Sequence, residues 1–175
     1  GGRVVGVALL ASSSGDLRHH SIIRGIPDRM FPPLAETVMA ALNRIPSMVE
    51  KSRRASTDLA YVVTRRMGYG DRRVPAEYVE FLSEMIAETP LTVISDFYPA
   101  FADFDGRRGL IELRKIETAV IGGEDDAIIP VGHTLELLRL LPEADTLVLK
   151  GSGHMGMIEH HEAYNQVLQR LVDRV

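Results

Sequence analysis

Three short runs of aliphatic and β-branched residues mark the chain, and each ends at a loop rich in serine or glycine. They are Val4 to Ala11, Thr118 to Ile121 and Thr146 to Leu149. Continuous apolar runs of this length are typical of strands that are buried on both faces of a parallel sheet. The pattern therefore predicts three buried strands.

Helical spacing separates the last two runs and also follows the third one. Leucines recur at helical intervals over Thr134 to Leu141, and an apolar stripe runs along His161 to Val175. A strand, a helix and a second strand in this order form a right-handed crossover, which makes the two strands parallel. The predicted fold class is α/β, with the final helix covering one face of the sheet.

The long segment between the first two strands has helical patterns and no strand alternation. Four such patterns, separated by proline or glycine, lie at 34–49, 57–67, 78–87 and 91–101. A helical insertion at this point covers the carboxyl edge of a parallel sheet, where open α/β sheets bind ligands. We predict a core made of residues 1–16 and 114–175, and a helical cap made of residues 17–113.

Composition and charge narrow the classes of function. The net charge of −4 argues against a nucleic-acid partner, because phosphate binding needs clustered Lys and Arg. The chain has no cysteine, which excludes disulfides and thiolate metal sites. Its apolar runs are shorter than the roughly 20 residues of a membrane span, so we expect no stable membrane insertion. The cellular location stays open, with the cytoplasm slightly favoured.

Acidic residues follow the second strand in a loop that runs from Gly123 to Pro130. Glycine allows a sharp turn off the strand, Asp125 and Asp126 lie at its tip, and the proline starts the next helix. A catalytic acid and a simple turn or N-cap residue are equally good interpretations of these two aspartates when the loop is taken alone.

A histidine follows the third strand in an equivalent loop, Gly151 to Met155. A single loop histidine such as His154 is more often structural than catalytic. The neighbouring acid changes this interpretation, because the carboxyl ends of adjacent parallel strands lie at the same edge of the sheet. We therefore expect Asp126 to hold one ring nitrogen of His154, so that the other nitrogen can act as a general base.

Taken in order, these features resemble the closing third of the α/β-hydrolase family of esterases, lipases and related enzymes. The matching sequence is a strand, GGEDDAIIP, a helix, LPEA, a strand, GSGHM, IEH and a final helix. The resemblance implies a partial parallel sheet of the α/β-hydrolase fold with a helical cap insertion. It implies Asp126, four residues before the proline, as the acid of a catalytic triad and His154 as its base.

The resemblance also implies a substrate and its contacts. We expect a small ester-like or lipid-like molecule, bound in part by Ser13 and Met155, and neither a cofactor nor a metal ion. Adjacent histidines such as His19 and His20 point in different directions on a helix, and no HExxH spacing is present.

One departure from the family concerns the nucleophile. The motif G-x-S-x-G, which carries the nucleophile on a sharp turn, is absent from the sequence, and Ser12 to Ser14 follow a different strand without the flanking glycines. The identity of the nucleophile is therefore open. Serine, aspartate and cysteine are all open. Serine, which the resemblance favours, would give an ester or acyl hydrolase, and aspartate an epoxide hydrolase or dehalogenase. We expect the chain alone to be inactive.

A non-catalytic fragment or interaction module is the alternative from a different class. The chain begins Gly-Gly-Arg-Val-Val without methionine, which is typical of a sequence cut from a longer one. The strand at 4–10 would then have an exposed apolar edge, and such edges pair with other chains. This predicts self-association through residues 4–10.

Overall fold

The computed structural model describes residues 3–15, 57–71 and 73–175, together with the single positions 17 and 37. Within these ranges the elements in chain order are β1 (Gly6–Leu10), α1 (Thr57–Gly68), α2 (Ala76–Glu88), α3 (Leu91–Ala102), α4 (Arg107–Leu113), β2 (Glu117–Gly123), α5 (Val131–Leu140), β3 (Asp145–Leu149), α6 (Gly156–Glu159) and α7 (His161–Asp173).

These bounds confirm the three predicted strands and the predicted helices at 57–67, 78–87, 91–101, 134–141 and 161–175, each within a few residues. Apart from position 37, the helix predicted at 34–49 lies outside the described residues. The patterns did not reveal α4, which is short and contains Gly109. It is held by burial of Leu110 and by a 2.9 Å ion pair from Arg107 to Glu136 of α5.

The strands form one parallel sheet, as predicted, and their order in it is β1-β2-β3. Leu10 is in register with Ile121, and Gly123 with Leu149. The carboxyl ends of the strands therefore lie at one edge of the sheet, and the loops that follow them are neighbours there. The α/β class and the partial parallel sheet are confirmed.

Hydrophobic packing covers both faces of β2, since alternate residues of a strand point to opposite sides. On one side Ala119 and Ile121 pack with Tyr164, Val167 and Leu171 of α7. This confirms that the final helix covers one face. On the other side, Val120 packs with residues from the helices that flank β2 and from the turn before β3, namely Leu110, Leu137 and Leu141.

The described residues fall into two compact units. The first takes in the described residues of Gly1–Gly15, Met67–Arg72 and Asp105–Val175, and it contains the sheet. The second takes in the described residues of Asp16–Arg66 and Arg73–Phe104. The short segment Met67–Arg72 thus packs with the sheet unit, although helical segments precede and follow it in the chain. The core and cap boundaries drawn at 16/17 and 113/114 stay predictions about domain organisation.

Candidate active site

Asp126 lies in the loop after β2, and its own loop holds it in place. Its Oδ1 accepts hydrogen bonds from the backbone N–H groups of Ile128 and Ile129, both at 2.8 Å. The side chain is only 1 % exposed. A buried carboxylate is costly unless its lone pairs are satisfied, and these two amides satisfy one of its oxygens. Neither of these amides donates to the other oxygen, Oδ2.

His154 contacts that second oxygen. Its Nδ1 lies 3.0 Å from Oδ2 of Asp126, so the structure brings together the two residues that the sequence predicted as a pair. With an ionised carboxylate as the acceptor, Nδ1 is the donor in this contact, and a neutral ring then keeps a lone pair on Nε2. The ring is 28 % exposed, which leaves it open to a reacting group. A ring held in this way has the geometry that a general base requires.

The two loops are joined by backbone hydrogen bonds. The N–H of Glu124 donates to the carbonyl of Leu149 at 2.9 Å, and the N–H of Asp125 donates to Ser152 at 3.0 Å. Gly123 packs so closely that a Cβ there would overlap the carbonyl oxygen of Ser152. Asp125 is exposed, in contrast to Asp126. The relative position of the acid and the histidine is therefore set mainly by the backbone.

Ser13 follows β1 at the same edge of the sheet, but its hydroxyl group is already engaged. The Oγ lies 2.8 Å from Nδ1 of His133, a residue of α5 that is 1 % exposed. It also contacts the backbone of Gly15, at 2.8 Å to the carbonyl and 3.0 Å to the N–H. These contacts link the end of β1 to the first turn of α5. A role for Ser13 in substrate binding stays a prediction.

Met155 follows the histidine directly and is half-buried. Its backbone N–H donates to the carbonyl of Gly68, at the end of α1, at 2.8 Å. The backbone contact anchors the histidine loop. Substrate binding by the thioether side chain likewise stays a prediction.

Glu159 is the most prominent residue near the site to which the sequence assigned no role. Its Oε2 accepts from the N–H of Gly153 and its Oε1 from the N–H of Asp71, both at 2.6 Å. Local spacing could not have revealed the contact with Asp71, because Asp71 and Glu159 are 88 residues apart in the chain.

Tyr164 of α7 is buried behind the histidine loop, with 1 % exposure. Burial raises the pKa of Tyr164 to about 12, and the negative charges of Asp126 and Glu159 act in the same direction. Its hydroxyl group and that of the fully buried Ser152 both occupy the space that a side chain on Gly156 would need. The histidine loop thus packs tightly against the buried side chains beneath it.

Within the described part of the chain, no group of three or more His, Cys, Asp or Glu residues is arranged to hold a metal ion. Among the described helices, none combines the length and the apolar character needed to cross a bilayer.

Comparison with known proteins shows that the chain has the α/β-hydrolase fold. It is similar to the enol-lactonase from Burkholderia xenovorans LB400, with a TM-score of 0.69 and 18 % identity over 98 % of this chain and 57 % of that one. It is also similar to an esterase from Exiguobacterium antarcticum, with a TM-score of 0.67 and 13 % identity over 97 % of this chain and 57 % of that one. The chain thus spans little more than half the length of these structures.

A curated relative points to hydrolases as well. A 2-hydroxy-6-oxo-6-phenylhexa-2,4-dienoate hydrolase from Burkholderia cepacia is 36 % identical over 53 residues, which is 30 % of this chain and 18 % of the relative. No protein-family model matches the chain. The predicted resemblance to α/β-hydrolases is confirmed, and the curated relative is itself a hydrolase.

Proposed function

We propose that this chain carries the acid and the base of an α/β-hydrolase catalytic triad, with Asp126 as the acid and His154 as the general base. The observation that carries the proposal is the 3.0 Å contact between His154 Nδ1 and the buried Oδ2 of Asp126 at the carboxyl edge of the sheet. Ligands of open α/β sheets bind at this edge. The similarity to solved hydrolases supports the same assignment.

In the proposed mechanism His154 moves protons through Nε2. It removes the proton of the nucleophile as the nucleophile attacks the substrate carbonyl, and then gives that proton to the leaving group. Water hydrolyses the acyl-enzyme in the second step, with His154 again taking and returning a proton. Asp126 keeps the proton on Nδ1 and stabilises the imidazolium while it exists.

The nucleophile in this proposal is a serine outside the present sequence, which contains no G-x-S-x-G motif. Triad members act as a unit, so a chain without the nucleophile keeps only weak residual catalysis. We therefore propose that the chain is inactive by itself. An aspartate in place of the serine would change the reaction to that of an epoxide hydrolase or dehalogenase.

The proposed substrate is a small ester-like or lipid-like acyl compound, in line with the esterase and the enol-lactonase that share the fold. A second candidate is hydrolysis of the carbon–carbon bond of a 2-hydroxy-6-oxodienoate. This candidate is favoured by the curated relative, which is 36 % identical over 53 residues of this chain.

The test compares hydrolysis of p-nitrophenyl butyrate by this chain and by a version extended at its N terminus with the encoded upstream sequence through the nucleophile. We expect activity only in the extended protein. His154→Ala should lower kcat by a factor on the order of 10⁴ or more. His161→Ala, a change at an exposed histidine of α7, is the matched control and should stay within about twofold of the parent.

Full activity of the extended His154→Ala protein would contradict the proposal, as would equal activity of the short and extended chains. If the extended protein hydrolyses a 2-hydroxy-6-oxodienoate and no ester, the second candidate replaces the first. A protein that acts only on an epoxide or a haloalkane would identify an aspartate as the nucleophile.

We also propose that the chain alone self-associates through β1. Among the described strands β1 pairs only with β2, and Val4 and Val5 beside it are 59 % and 54 % exposed. An apolar edge of this kind pairs readily with another chain, and a lysine on it discourages pairing. Size-exclusion chromatography should show a dimer or larger species that Val5→Lys shifts towards monomer. A monomeric parent chain would contradict this proposal.

A further inference from the structure

The backbone around His154 is anchored on both sides by groups outside its own loop. Before it, the N–H of Gly153 donates to Glu159 at 2.6 Å. After it, the N–H of Met155 donates to the carbonyl of Gly68 at 2.8 Å. A loop with glycines on one side of the histidine has wide conformational freedom, so these anchors determine where the ring lies.

The segment that follows α1 provides the other half of this anchor. The N–H of Asp71 donates to Oε1 of Glu159 at 2.6 Å, so a single carboxylate spans the histidine loop and the segment Met67–Arg72. Gly70 and Gly153 allow the two backbones to touch, since a Cβ on Gly70 would lie 2.6 Å from the carbonyl oxygen of Gly151. Hydrogen bonds from amides to a carboxylate are stronger than those to a neutral oxygen.

We propose that Glu159 is a positioning residue for His154, which it holds in contact with Asp126 by binding the amides of Gly153 and Asp71. This inference rests on the proposed role of His154 as the base. Glu159 contacts neither ring nitrogen in this arrangement and acts through the backbone. A base must be held within about 0.5 Å of its productive position. A loosened loop would break the 3.0 Å contact between His154 and Asp126.

Two substitutions of Glu159 should weaken the anchoring of the histidine loop to different degrees. In Glu159→Gln one side-chain atom still accepts a hydrogen bond, but the NH₂ group faces the second amide as a donor, so one contact is lost. Glu159→Ala removes both contacts. Glu162→Gln is the matched control, because Glu162 is exposed on the first turn of α7 and takes no part in the anchor.

The experiment uses this chain and two NMR measurements that do not depend on turnover. Amide hydrogen exchange at Gly153 and Asp71 should accelerate by about tenfold or more, at one of the two amides in Glu159→Gln and at both in Glu159→Ala. The Nδ1 proton of His154 should exchange with solvent faster by a similar factor. Glu162→Gln should leave all three rates within about twofold of the parent, and core amides such as that of Val120 should stay protected in every variant.

If the Nδ1 proton of His154 exchanges with solvent at the same rate in Glu159→Ala as in the parent, the proposal is overturned. A loss of protection at Val120 that matches the loss at Gly153 would also overturn it, because Glu159 would then support the whole fold rather than the histidine. These measurements report geometry, so they decide the role of Glu159 even if the extended protein proves inactive towards every ester tested.

Discussion

The loop of the acid and the loop of the histidine hold their side chains in different ways. Asp126 is held locally, by the amides of Ile128 and Ile129 in its own turn. His154 is held from outside, by contacts of its neighbours with Glu159 and Gly68. The acid is 1 % exposed and the histidine 28 %. This difference agrees with the proposed roles, because a carboxylate that only orients a ring can be buried, whereas a ring that acts as the base must stay open to the reactants.

Replacement of the acid has the largest expected effect. In the extended protein Asp126→Asn should lower kcat about 10⁴-fold, because the amide NH₂ would face Nδ1 and favour the wrong imidazole tautomer. Asp125→Asn changes the exposed neighbour in the same turn and should leave kcat within about twofold. Steady-state kinetics on both variants checks this. A large loss in Asp125→Asn alone would assign the acid to the other aspartate.

A methyl group between the two loops should have the next largest effect. Gly123→Ala brings a Cβ onto the carbonyl of Ser152 and should lower the free energy of unfolding by about 3 kcal/mol. Gly132→Ala is the control, because nothing lies within 4 Å of a Cβ there and alanine favours the helix by up to about 1 kcal/mol. Urea denaturation distinguishes them. Equal stability of the two variants would mean that the loops are not packed as described.

The stability of the fold at alkaline pH tests the burial of Tyr164 beneath the histidine loop. The pKa of Tyr164 is raised from 10.0 to about 12, so the folded state holds its proton where the unfolded state has lost it. The stabilisation is complete below pH 10 and is lost as the pH rises towards 12, by about 2 to 3 kcal/mol. Tyr164→Phe should remove this part of the pH dependence of urea denaturation. Tyr78→Phe, at a 51 % exposed ring, should retain it.

An ion pair away from both loops should have the smallest effect. Arg170 of α7 donates to both oxygens of Asp145 at 2.7 and 3.0 Å, and this hydrogen bonding lowers the pKa of Asp145. A lowered pKa stabilises the fold above the unfolded pKa of about 4 and ceases to do so as the pH falls below it. Asp145→Asn should therefore cost less than about 1 kcal/mol at pH 7, since Arg170 is 46 % exposed.

In urea denaturation the loss of stability caused by Asp145→Asn should vanish near pH 2. A loss of several kcal/mol at pH 7 would show that this pair, rather than the loop contacts, anchors β3 beneath the histidine.

The contrast between the loops also explains what the sequence could predict. The strands, most of the described helices and the Asp126–His154 pair follow from local patterns. A buried strand is a short apolar run, and the loops after adjacent parallel strands lie at one edge. The contact of Glu159 with Asp71, which anchors the histidine loop, was missed because the two residues are 88 apart in the chain. The contact between Ser13 and His133, which links β1 to α5, was missed for the same reason, since these residues are 120 apart.

The helix α4 was missed for a related reason. Its seven residues include a glycine, so its own propensity is weak. Its stability comes from the burial of Leu110 against the sheet and from the pairing of Arg107 with Glu136 of α5, 29 residues later. Tertiary contacts of this kind leave no periodic signal.

The pairing of Asp126 with His154 is tested most directly by the ¹⁵N spectrum of the His154 imidazole in this chain at a pH where the ring is neutral. We expect Nδ1 to carry the proton and Nε2 to have the shift of a bare nitrogen, with this preference lost in Asp126→Asn. A ring protonated mainly on Nε2, or a tautomer ratio that Asp126→Asn leaves unchanged, would contradict the assignment of His154 as an oriented base.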